Sequence, residues 1–218
     1  MSAFGANIFC YGDYRLARLG LTIIGVIVNV SRICAKGGTV THSAILISDA
    51  QEADLLAIRD LYAWHVQHGI ASFETEPPSL NDMMARYTAV KAQGLPWLVA
   101  RQDGELLGYC YLSPCRPRYA YRFTVEDYVY IHPAKIGRGL GELLLREAIT
   151  RAEQGGWRQM LAIIGNADNH ASLRLHQKLG FQLIGQLTAV GFKHGRWVDT
   201  LLMQRSLGEG QQTPPHDG

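Results

Sequence analysis

The sequence predicts an α/β domain with a mixed sheet, on three observations. One strand-like segment leads into two segments with helical apolar spacing; a run of strand-like segments with a strong hairpin turn follows; the second half then alternates strand, helix, strand, helix and closes on two strands. Of the 218 residues, 47% are hydrophobic and 18% charged, enough to bury a core, and the length suits one large domain or one domain with an appendage.

The domain opens near Ser43. Ala44 to Ile47 reads as a strand, and Ser48-Asp49-Ala50-Gln51-Glu52 as a helix start with capping-box spacing. Leu55, Ile58, Leu61, Tyr62, His65 and Val66 share one helical face, and Ser79 to Ala92 forms a second helix after the Pro77-Pro78 break. Trp97 to Ala100 and Leu106 to Leu112 flank Asp103-Gly104, a pair that readily takes the φ > 0 hairpin turn. Thr124 to His132 is strand-like, ends at Pro133, and leads through KIGRGLG into a helix with Leu140, Leu144 and Ala148 on one face. Met160 to Ile164 reads as a buried strand and Asn169 to Leu179 as a short helix ended by Gly180. Phe181 to Gly191 and Trp197 to Leu202 form a closing pair, and residues 208–218 are a disordered tail by composition.

Residues 1–42 stand apart as an N-terminal extension. Its apolar run, Leu19 to Val30, holds about a dozen residues, against the ~20 a plain helix needs to cross a bilayer, so no membrane span is expected. Arg15 and Arg18 before that run imitate a signal peptide, but SRICAKGG offers no A-x-A cleavage site. A loosely attached extension, a start too far upstream and a targeting or membrane-surface role are the readings that stay open. With 21 Lys+Arg against 19 Asp+Glu and no run of like charge, the chain lacks the electrostatic footprint of a nucleic-acid binder. Cys10, Cys34, Cys110 and Cys115 form no CxxC pair, which suits a reducing, cytoplasmic setting and argues against a disulfide scaffold or structural zinc. His65 and His68, three apart on a helix, have no acidic or thiol partner nearby in sequence and read as surface histidines rather than metal ligands.

Strand, then Gly137-Arg138-Gly139-Leu140-Gly141, then helix is a phosphate-cradling arrangement, because glycines let backbone N–H groups approach an anion and the helix N-terminus adds partial positive charge. The spacing is neither GxGxxG in a first βαβ unit nor a Walker loop, since no GK[ST] follows. A tight strand-to-helix turn would use the same glycines. Here the chain resembles the GNAT superfamily of acyl-CoA-dependent N-acetyltransferases, whose loop [Q/R]-x-x-G-x-[G/A] holds the CoA pyrophosphate. The matching residues run from Ile136 to Gly141, with Ile136 in place of the usual Gln or Arg, and Lys135 or Arg138 could supply charge instead.

ASFETEPPS (71–79), PWLVA (96–100), AYRFTVEDYVYIHP (120–133), NHASLRLHQKLGF (169–181) and VGFKHGRWVDT (190–200) narrow the resemblance to the phosphinothricin and methionine-sulfoximine acetyltransferase branch, over about residues 44–207. Tyr128 stands where this branch more often has a small Ser. The resemblance implies a GNAT fold, a mixed and mostly antiparallel sheet with flanking helices, in a domain spanning 43–207. It also implies acetyl-CoA as co-substrate with no metal, a small-molecule amine substrate of the amino-acid-analogue type, and a homodimer. Acetylation of another amine (a polyamine, an aminoglycoside or a protein N-terminus) and non-catalytic CoA sensing are the alternative functions.

Acetyl transfer to an ammonium substrate needs a base, and Glu126 is the candidate, matching the acidic residue this branch places on that strand. Strand alternation turns Asp127 the opposite way, so only one of the two enters the site. The backbone of Val129 and Ile131 is expected to face the thioester carbonyl and pantetheine arm. Asn169 and Ser172 resemble CoA contacts. His176, seven residues after Asn169, takes the position from which the superfamily often protonates the leaving thiolate with a Tyr. Arg122 could grip a carboxylate or phosphinate through two hydrogen bonds. Phe73, Lys193 and Trp197 resemble the branch's pocket walls, and packing aromatics would read the same at Phe73 and Trp197.

Overall fold

The computed structural model describes residues 26–28 and 43–215. Its elements are β1 (Val26–Val28), β2 (Ile45–Asp49), α1 (Leu55–His68), α2 (Leu80–Ala92), β3 (Trp97–Gln102), β4 (Glu105–Pro114), β5 (Thr124–Ile131), α3 (Leu140–Gln154), β6 (Gln159–Gly165), α4 (His170–Lys178), β7 (Gln182–Lys193) and β8 (Arg196–Ser206). The sheet order is β1-β2-β3-β4-β5-β6-β8-β7, and every neighbouring pair is antiparallel except β5 and β6. This is the mixed α/β sheet that the residue pattern predicts, and mostly antiparallel as the family resemblance implies.

Local chemistry explains most boundaries. Asp103 and Gly104 take φ of 53° and 80°, the two positive values a tight hairpin between β3 and β4 requires. Ser79 caps α2 by accepting from the Asp82 N–H while the Asp82 carboxylate accepts from the Ser79 N–H. The start of α1 lies later than expected. Ser48 and Asp49 belong to β2, where Asp49 pairs with Leu98 and its carboxylate meets Arg151 of α3. The reciprocal cap falls instead on Gln51 and Asp54, ahead of a short 3₁₀ turn. Ladder pairing and an ion pair 102 residues away thus claim side chains that local spacing assigned to a helix cap.

The core fills the space between the sheet and the helices. Ile58, Val66, Trp97, Leu107, Leu112, Leu144 and Met160 are fully buried in it. Val26–Val28 pairs antiparallel with Ile45–Ile47, so part of the apolar Leu19 to Val30 run forms the sheet's outer strand. The rest of that run, with Cys10, Cys34 and the basic residues around it, lies outside the described residues. Residues 208–215 turn back onto the domain, where Arg158 donates to Glu209, to the Thr213 hydroxyl and to the Pro214 carbonyl.

One topological feature creates the site. The parallel pairing of β5 and β6 runs only from Thr124–Gln159 to Glu126–Leu161, yet β5 continues to Ile131 and β6 to Gly165. The two strands part, leaving a wedge in mid-sheet.

Candidate active site

The wedge opens into a cavity of about 310 Å³, lined by β5 from Asp127 to Ile131, β6 from Ala162 to Gly165, Ile136, and the α4 residues Ser172, Leu175 and His176. Asn169, at its edge, caps α4 by accepting the Ser172 N–H. Parted strands leave backbone groups without ladder partners, and a polar chain threaded between them could take those partners' places. The expected positions Val129, Ile131, Asn169 and Ser172 are therefore gathered here. The Ile131 carbonyl, however, already accepts from His65 Nε2 at 2.9 Å.

His65 is a correction. It was expected at the surface, yet it is half-buried on α1, lines the cavity and packs near Tyr130; burial lowers its pKa, partly offset by its bond to Ile131. Its place among the apolar positions of α1 was the signal. His68 is exposed, with Nδ1 at the Trp64 carbonyl. Among the described residues no group of three or more His, Cys, Asp or Glu side chains could hold a metal ion.

At one end of the cavity the glycine loop turns into α3. Gly137 and Gly139 sit at φ of 81° and 78°, and a Cβ at Gly141 would approach Leu175 to 3.1 Å, so the loop needs glycine for backbone conformation and for packing α3 on α4. The first helical bond here runs from Leu143 N–H to Gly139 O, which leaves the N–H groups of Leu140, Gly141 and Glu142 for an anion. This cradle fits a diphosphate. The two cations proposed to replace the missing Gln or Arg are engaged elsewhere: Arg138 donates to Gln102 and Lys135 to Glu105, while Ile136 is exposed.

β5 divides the acid–base residues between its two faces. Val125 and Asp127 point toward α3 and α4; Glu126, Tyr128 and Tyr130 point toward α1 and α2. Glu126 is half-buried, and burial raises its carboxyl pKa, opposed by a hydrogen bond from the Tyr128 hydroxyl. Tyr128 lies flat on Tyr111, with ring centroids 4.5 Å apart, and also lines the cavity. On the other face, His176 Nε2 is 3.0 Å from Asp127 Oδ2, with both side chains buried. His176 Nδ1 lies 2.7 Å from the Ser172 carbonyl and 3.3 Å from its hydroxyl. Glu126 and His176 are thus not in one cluster; a strand's thickness separates them.

The pocket-wall residues fall into two groups. Lys193 is buried and donates to the Ser72 carbonyl at 2.7 Å, and Phe73 packs against Gly191 so closely that a Cβ there would lie 2.3 Å from the ring. Trp197 is exposed beside Phe192. Arg122 lies elsewhere, in the turn before β5, with its guanidinium over Tyr119 and Phe123. The loop carrying Phe73 is also clamped by groups that sequence reasoning missed. Arg86 grips Glu74 through two hydrogen bonds at 2.7 and 3.2 Å, and the Tyr62 hydroxyl bonds to Ser72. No local motif marks these partners, because each comes from a different helix.

Comparison with known proteins gives the geometry a context. Residues 58–181 match the acetyltransferase (GNAT) family. The chain is 50% identical over 179 residues to phosphinothricin N-acetyltransferase from Alcaligenes faecalis, covering 82% of this chain and 91% of that one. It is 39% identical to an L-methionine sulfoximine/L-methionine sulfone acetyltransferase from Salmonella typhimurium, covering 73% and 93% of the two chains. A GNAT superfamily phosphinothricin acetyltransferase from Sinorhizobium meliloti, solved in complex with AcCoA, superposes with a TM-score of 0.77 at 46% identity, over 79% of this chain and 93% of that one.

Proposed function

Because the chain belongs to the GNAT acetyltransferase family, we propose that it transfers the acetyl group of acetyl-CoA to the amine of a small amino-acid analogue of the phosphinothricin, methionine sulfoximine or methionine sulfone type. The observation that carries this reading is the wedge between β5 and β6, with a glycine-loop helix start at one end and a half-buried carboxylate on the strand that forms its wall.

In this reading the Gly137–Gly141 loop receives the diphosphate on backbone N–H groups, while β5, Asn169 and Ser172 receive the pantetheine arm. Acetyl-CoA supplies the activated acyl group. Glu126, on the α1 and α2 face, takes a proton from the substrate ammonium, and burial raises its pKa. His176 holds the proton destined for the leaving thiolate. Arg122 receives the anionic group of the substrate. Phe73 shapes the pocket, and Lys193 holds the Phe73 loop in place.

A homodimer fits the same picture. β7 is the sheet's edge strand and exposes Leu183, Ile184, Leu187, Val190 and Phe192 next to Trp197, an apolar surface that a second copy would cover. Cys110 and Cys115 are free thiols, which supports the reducing cytoplasm as the compartment. Among the described residues no helix is long and apolar enough to cross a membrane.

The test is a panel of amines incubated with acetyl-CoA and followed by free thiol. Methionine sulfone, methionine sulfoximine and phosphinothricin should outperform polyamines and aminoglycosides. Thiol release equally fast with every amine, or with none, would overturn the reading.

A further inference from the structure

The surroundings of His176 raise a chemical question. A proton donor to a thiolate needs an N–H directed at it, yet Nε2 meets Asp127 Oδ2 and Nδ1 meets the Ser172 carbonyl and hydroxyl. Neither nitrogen has a free N–H to present to the cavity. Asp127 and Ser172 both meet the imidazole and line the cavity, and of the two only Ser172 carries a hydroxyl that can take a proton from Nδ1 and give its own to the cavity.

We propose that Asp127, His176 and Ser172 form a buried proton relay, in which Asp127 holds the imidazole charged and Ser172 Oγ passes the proton into the cavity. The inference rests on the acetyl-transfer reading and deepens it. When the carbon–sulfur bond breaks, the sulfur keeps the electron pair and takes the Ser172 hydroxyl proton. Ser172 Oγ takes the Nδ1 proton of His176. The imidazole is left neutral, with its Nε2–H still donated to Asp127, and a proton from solvent restores it before the next turnover. Asp127 is a positioning residue here, and Ser172 is the group that touches the reacting sulfur.

The electrostatics agree with the geometry. Burial pulls the His176 pKa down, but the hydrogen bond and charge of Asp127, helped by the Ser172 carbonyl, outweigh it and leave the net shift upward. The other described groups near the pair are not ionic partners: Phe181 meets the imidazole edge-on, and Cys110 of β4 is a buried thiol whose pKa burial and the Asp127 charge push up. Lys178 of α4 and Glu142 of α3 pair with each other at the surface. Asp127 Oδ1 has no hydrogen-bond partner among the described residues, so the carboxylate can accept a further donor from the cavity.

Two measurements on the full chain test the relay. The first is NMR titration of the His176 ring without any ligand, in the wild type and in Asp127→Asn. Removing the carboxylate charge should lower the His176 pKa by about one to three pH units, and the alkaline limb of the rate profile should move down with it. The acidic limb should also move down, because Asp127 raises the Glu126 pKa. The second is a kinetic comparison of Ser172→Ala with Ser172→Thr. The alanine variant should lose about 10²-fold or more in kcat, a larger effect than any rise in acetyl-CoA KM from the lost pantetheine contact, and threonine should restore most of the kcat. An unmoved His176 titration in Asp127→Asn overturns the relay, as does a Ser172→Ala variant that raises KM while keeping kcat. If the wild type acetylates no amine in the panel, the acetyl-transfer reading falls and takes the relay with it; normal wild-type turnover with either negative result removes the relay alone.

Discussion

Tyr128 and Glu126 stand two residues apart on one face of β5, where the tyrosine hydroxyl acts to lower the Glu126 carboxyl pKa. A tyrosine therefore stabilises the ionised form of the candidate base, against the burial that opposes it. Tyr111 on the facing strand pairs with Tyr128 and stacks on its ring, so the hydroxyl is held in place.

Replacing that donor should move the base. In Tyr128→Phe the carboxylate loses the hydroxyl that lowers its pKa while burial remains, so the Glu126 pKa should rise. Because the base works when ionised, the acidic limb of kcat/KM should shift to higher pH and the rate along that limb should fall. A limb that stays put would mean that another group sets it.

Glu126→Gln keeps size and hydrogen bonding but cannot accept the ammonium proton. The rate near neutral pH should fall by about 10²–10⁴-fold and recover partly at high pH, where free amine is plentiful. Rate measurements from pH 6 to 10 distinguish this from a binding defect, which raising the pH would leave unrepaired.

Arg122→Ala addresses substrate recognition. If the guanidinium grips an anionic group, KM should rise most for substrates carrying a carboxylate or phosphinate and little for simple amines. Equal effects on both classes would remove Arg122 from the pocket and leave it as the lid over Tyr119 and Phe123 that its stacking describes.

A chain beginning at Ser43 should fold and turn over, because the buried core begins at Ile45 and every candidate site residue lies beyond it. Losing β1 uncovers the edge of β2, so a modest drop in Tm is expected, read by thermal unfolding. Insoluble protein would show that the extension is part of the domain.

Charge placed on the β7 surface should separate the subunits of the proposed dimer. Leu187→Lys with Val190→Asp should give a folded monomer by analytical ultracentrifugation, where the unaltered chain should sediment as a dimer. Unchanged sedimentation would place the interface elsewhere.

Short-range chemistry made much of this protein legible from its sequence. Asp103-Gly104 encodes its own turn, Ser79 and Asp82 their own cap, and Gly137 and Gly139 their own positive φ, because each depends on neighbours only a few residues away. Strand alternation likewise set Glu126 and Asp127 on opposite faces of β5. What lies over each face was decided only by tertiary structure: Asp127 meets His176 across 49 residues, and His65 reaches the Ile131 carbonyl across 66. The same holds for the Ser48 and Asp49 segment, drawn into β2 by a ladder and by Arg151, and for Arg122, whose guanidinium stacks on the rings of its own turn. Spacing along a chain sets which way a side chain points, but its partner depends on packing among distant elements, and at β5 and β6 that packing parts two strands and makes the cavity.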